Sequence, residues 1–137
     1  MTLNDLEQYL DREGWPHQRL STVSLRTHWQ GKTRTVPICI RIDPEGYLAL
    51  AVISGLTSPE DPVACAGLLR RLMELNHQMM MAKFAIDDDL DVILAAEYPL
   101  PNLDESEIRD AIEHVAYYAD RHWDELRAVV AEPVDAC

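Results

Sequence analysis

Asp87, Asp89 and Asp91 alternate over one short stretch, the spacing with which a calcium loop begins. Such a loop needs a glycine at its sixth place for the sharp turn and a bidentate glutamate at its twelfth. Here those places hold Val92 and Tyr98, so the stretch reads as a solvated acidic turn. The five histidines are scattered, His114 and His122 standing eight apart in one helical segment, and no HExxH or paired zinc-ligand spacing occurs. Glycine-rich phosphate loops and a GxSxG nucleophile turn are absent too. No nucleophile has an assigned base. The sequence therefore predicts a protein that is not an enzyme and takes no cofactor or metal.

Two other clusters have chemical potential. Arg19, Arg26, His28, Lys32, Arg34 and Arg41 surround Trp29, the make-up of a single-strand nucleic-acid patch. The period-two alternation, however, turns Trp29 to the apolar side, away from Arg26 and His28. Met79-Met80-Met81 offers the adaptable thioethers of a re-packing surface, though methionine also serves as core filling.

Charge argues further against direct nucleic-acid or membrane contact. Residues 1–86 hold nine acids and nine bases; residues 87–137 hold fifteen acids and three bases, so the whole net charge of −12 falls in the last third. Such a surface repels phosphate over about 8–10 Å at physiological salt. It also keeps a small protein in solution when apolar surface is left exposed.

The 137 residues suit one domain, with 47% apolar residues, enough for a folded core. The start, MTLNDLEQYLDREGW, lacks a basic segment leading into an apolar run and predicts no signal peptide. No stretch reaches 18 apolar residues, which predicts no membrane helix. Cys39, Cys65 and Cys137, odd in number and widely spaced, suit reduced thiols in a cytoplasm.

The positioning elements follow from period and punctuation. A helix over 2–13 carries Leu3, Leu6 and Leu10 on one face, Thr2 as its cap and Gly14 as its stop, with Trp15 folding back. Two half-buried strands follow: one puts Val23, Leu25, Thr27 and Trp29 on one face, the other Val36, Ile38, Ile40 and Ile42. Asp43-Pro44-Glu45-Gly46 turns into YLALAVIS, apolar on both faces and so a central strand. A second helix is capped by Ser58 or Asp61 and runs to about His77, apolar around most of its circumference. Strands MMMAKFAID and VILAAEY flank the acidic turn. A last helix begins at Asp104, with Glu107 at capping-box spacing and Leu103 and Ile108 as a staple. Its water-facing side is read as Glu105, Arg109, Asp110, Glu113, Tyr117, Asp120, Arg121 and Asp124. The predicted order is α-β-β-β-α-β-β-α, an α+β domain over 1–131 with a twisted antiparallel sheet packed by helices, and a loose tail over 132–137.

Leu75-Asn76, Lys83-Phe84-Ala85, the acidic hairpin, Glu97 with Pro99-Leu100, and Trp123 together resemble the YbjN-like family of small bacterial proteins. That family usually has a glycine in the hairpin; here Leu90 stands near its place. It is similar in fold to class I type III secretion chaperones, small acidic dimers that bind extended client segments. The resemblance implies the same element order, a helix-mediated dimer and loose links to stress responses.

The reading is a non-enzymatic chaperone or adaptor in the cytoplasm, a homodimer that binds a client protein through apolar surface, with strand addition at an open edge as a further mode. The family analogy puts client binding on Leu3, Leu6, Leu10, Trp15, Val23, Leu25, Trp29, Val36 and Ile38. The broad stripe of the second helix assigns the dimer to Cys65, Leu68, Leu69, Leu72 and Met73. Two alternatives compete: a small-molecule-sensing regulatory protein, and an accessory factor of a DNA-damage or stress-response protein that reaches nucleic acid only through its partner.

Overall fold

The structure is a computed structural model that describes residues 1–131. The predicted tail over 132–137, with Cys137, lies outside the described residues. These form α1 (Leu3–Glu13), β1 (His17–Arg19), β2 (Ser24–Gln30), β3 (Thr35–Asp43), β4 (Tyr47–Thr57), α2 (Pro62–Gln78), β5 (Lys83–Ile86), β6 (Asp91–Pro99) and α3 (Glu105–Ala131). The fold class is the one expected, with one strand added. The extra strand is β1, three residues long and at the sheet edge.

The caps explain where the helices sit. Thr2 accepts from Asp5 N at 3.2 Å while Thr2 N donates to Asp5 at 2.8 Å, a reciprocal box that starts α1. Gly14 ends it at φ 75°, a conformation that costs a side chain about 1–2 kcal/mol. Of the two candidate caps for α2, Asp61 is used, accepting from Ala64 N at 2.9 Å. Asp104 and Glu107 exchange backbone donors to start α3.

All six strands form one antiparallel sheet in the order β1-β2-β3-β4-β6-β5. The helices cover one face. Beneath them lie Leu25, Ile40, Leu50 and Ala96 in one cross-strand row and Val52, Leu94 and Phe84 in another. Among the described residues no helix covers the other face. Its middle is apolar: Cys39, Ala51 and Ala95 form a row across β3, β4 and β6, and the Ile53–Ile93 pair lies next to it. That is why β4 shows no polar alternation.

The methionine run is not the head of a strand. Met79 caps the C-terminus of α2 and is buried, while Met80 and Met81 are exposed in the link to β5. Met81 adopts φ 70°. Lys83 then reaches back to donate to the carbonyls of Asn76 and Met79, at 2.8 and 2.6 Å, which fixes the end of α2.

Candidate protein-interaction surface

Trp29, at the far end of β2, has its ring on the helix side of the sheet and is half-buried. Trp15 meets it edge-on at 6.1 Å between ring centres, and Tyr9 meets Trp15 in the same way, also at 6.1 Å. Gly14 makes this contact by turning the chain back, so that Trp15 N bonds the Leu10 carbonyl at 2.9 Å. On its other side Trp29 shares two clefts with Tyr117 of α3. Tyr117 packs on Tyr118 at 5.3 Å, and the Tyr118 hydroxyl accepts from Met80 N at 3.0 Å. An aromatic belt therefore runs from Trp15 through Trp29, Tyr117 and Tyr118 to the exposed Met80 and Met81. Tyr118 also stacks on His122, and burial holds the His122 pKa below its ordinary value, against the pull of Glu125.

The belt is set in place by Asp120. Its carboxylate accepts from Lys32 N and Thr33 Oγ1, each at 2.8 Å, and from Arg34 Nε at 3.4 Å. This pins the β2–β3 turn to α3. Those donors hold the carboxyl below the usual carboxylate range, the Thr33 hydroxyl and Lys32 amide most strongly. Gly31 allows the approach, because a Cβ there would lie 2.7 Å from the Asp120 carboxylate. Reading Asp120 as a water-facing residue was therefore wrong, since a contact 88 residues apart in the chain leaves no periodic mark.

Beside the belt is an unpaired strand edge. β1 pairs with β2 only from His17–Thr27 to Arg19–Leu25, so His28, Trp29 and Gln30 extend past it. The Ser24 carbonyl accepts from Leu20 N on the β1 side, and Gly31 N bonds Arg34 O on the β3 side. The alternation of an antiparallel ladder therefore directs the Gln30 backbone groups to the outer edge. Pro16, which precedes β1, has no N–H with which to continue the pairing. Clefts of about 410 Å³ by Trp15 and about 530 Å³ by Tyr117 flank this edge.

The residues expected to bind a client divide sharply. Leu3, Leu6, Leu10, Leu25, Val36 and Ile38 are at most 6% exposed and form the chain's own core. One apolar face per strand must be buried on folding, and these supply it. Trp15 and Trp29 come together in the belt, while Val23 is exposed and lies just before β2. On α2, Leu68 and Leu72 also belong to the core, and Cys65 is half-buried. Leu69 and Met73 are exposed, 43% and 67%, with Val63 on the same helix. Tyr117 and Tyr118 were missed as site residues. The signal available was a pair of adjacent tyrosines, one of them on the polar side of an amphipathic helix.

In the acidic turn, Asp87 accepts from the backbone N–H groups of Asp89 and Asp91, at 3.0 and 2.9 Å, and Asp91 accepts from Thr57 Oγ1 at 2.8 Å. Among the described residues no three His, Cys, Asp or Glu side chains are grouped as metal ligands, and no helix is long and apolar enough to cross a membrane.

Element order and sheet order define the class: the fold of class I type III secretion chaperones. A chain of the heterodimeric ExoU–SpcU complex from the type III secretion system of Pseudomonas aeruginosa superposes with a TM-score of 0.62 at 19% identity, over 88% of this chain and 96% of that one. The ExsC–ExsE complex gives 0.61 at 17% identity, over 92% and 97%. The crystal structure of YbjN from E. coli gives 0.62 at 17% identity, over 89% and 93%. The family model described as "Putative bacterial sensory transduction regulator" matches residues 2–128. The chain belongs to the YbjN family. Comparison of the sequence with curated proteins finds no match.

Proposed function

We propose that this protein is a non-enzymatic, chaperone-like adaptor of the cytoplasm that holds an extended segment of a client protein. The observation that carries this is the unpaired edge of β2 at Gln30 set against the aromatic belt. An added strand finds backbone partners at the edge, and its side chains find Trp29 and Tyr117. Large aromatic rings and methionines are the residue types that anchor protein contacts at low entropic cost. The chaperone-like fold and the protein complexes among its structural relatives support the same reading.

The adaptor acts as a homodimer, with Leu69 and Met73 of α2 as the exposed centre of the contact. Small residues before them, Ala66 and Gly67, let a second helix approach closely.

Capture of client from native lysate tests the belt. Tyr117→Ser combined with Met80→Ser removes exposed side chains only, so thermal unfolding should match wild type while the captured protein is lost. Equal capture by the variant rejects the belt as the client site.

A further inference from the structure

We propose that the cleft between Trp29 and Tyr117 selects an acidic client segment: a strand added at Gln30 that sets one Asp or Glu carboxylate on Lys32 and Arg121. This rests on the protein-binding reading above and gives the client a chemistry.

The chain has twenty-four acids and twelve bases, and among the described residues seven of the bases, all arginines, pair with a carboxylate. Most bases are held against a carboxylate, as Arg34 is by Asp120 and Asp124 and Arg109 is by Glu13. Lys83 is occupied by two helix-end carbonyls. Among the described residues four others have no carboxylate within 4.0 Å: Arg26, which donates to Gln18, Arg127, which lies over the Trp123 ring, and the pair Lys32 and Arg121. The Lys32 ammonium has no hydrogen-bond partner there, and Arg121 donates only to the Tyr117 hydroxyl, at 2.7 Å. Both line the same cleft of about 530 Å³ as Trp29 and Tyr117. The acid already present, Asp120, is committed to the turn and to Arg34.

Two positive heads above an aromatic floor call for a negative group on an apolar stem. The adjoining strand edge calls for an occupant with its own backbone amides, which is a peptide. Glu113 lines the neighbouring cleft beyond Tyr117 and repels a second acid at that end. The recognised pattern is thus a large apolar residue with an acid close to it in sequence, placed on the Lys32 side.

A random heptapeptide display library, panned against the full chain, tests this. Wild type should enrich peptides with Asp or Glu one or two places from a large apolar residue. The Lys32→Glu, Arg121→Glu variant should enrich Lys or Arg at that place instead. Arg70→Glu on α2 should enrich the same peptides as wild type. Selected peptides should weaken about two- to fivefold on Lys32→Ala or Arg121→Ala, and the loss should shrink as salt rises. Peptides without a preferred acid, or enrichment indifferent to the charge reversal, overturn the inference. If such peptides are still lost on Tyr117→Ser, the protein-binding reading stands without it. Enrichment from neither wild type nor variant removes both.

Discussion

Asp120 is the side chain on which the belt depends. Its carboxylate, with its pKa lowered by the Thr33 and Lys32 donors, contributes stability only while ionised. For a carboxyl whose folded pKa lies below its unfolded value, that contribution is complete above the unfolded value, about pH 4. It is lost as pH falls through the folded value. Asp120→Asn should therefore be less stable than wild type at neutral pH, by about 1–3 kcal/mol, and the gap should narrow in acid below about pH 4. Urea unfolding at pH 7 and at pH 3 checks this; a gap that stays constant contradicts it. Leu90 carries an opposite lesson. It occupies φ 65° with its side chain exposed, where the family resemblance points to glycine. Leu90→Gly relieves that backbone without removing packing and should stabilise the fold by about 1 kcal/mol. A lower urea midpoint for the variant would refute the strain.

At the scale of elements, α1, α2, α3 and the β2–β3 hairpin were readable because each carries both a period and a punctuating residue. Thr2, Gly14 and Asp104 mark helix ends whatever lies around them, while the start of α2 was narrowed to Ser58 or Asp61. β1 has no such mark: three residues cannot show a period, and only pairing to β2 makes His17–Arg19 a strand. The start of β5 was misplaced for a related reason. Met79-Met80-Met81 is apolar enough for a strand, but Met79 bonds back to Leu75 as a helix cap and the strand begins only at Lys83. The family analogy singled out Trp15 and Trp29, which the fold brings into contact. Periodicity could not separate Leu68 from Leu69, since a helix apolar around most of its circumference gives no direction until the sheet claims one side. The side left over yields a prediction. Leu69→Asp with Met73→Asp changes only exposed positions and should halve the mass seen by light scattering while the helix content of the folded chain is kept. An unchanged mass would remove α2 from the proposed dimer.

At the scale of the whole molecule, apolar side chains stay exposed among the described residues. The helices cover one face of the sheet; the Cys39–Ala51–Ala95 row on the other face is half-buried, and Tyr117, Met80 and Met81 of the belt and Leu69 and Met73 of α2 are exposed. Acids dominate the last third of the sequence and supply the repulsion between molecules that lets such surface persist in water. In-cell photo-crosslinking reads out that exposed surface most directly. A photoreactive amino acid is placed at position 117 in the belt, at 69 on α2 and at the exposed position 110 as control. The account predicts that position 117 joins a second polypeptide reproducibly, that position 69 joins another copy of the chain, and that position 110 joins neither. Crosslinking at 117 and 69 no greater than at 110 would contradict it.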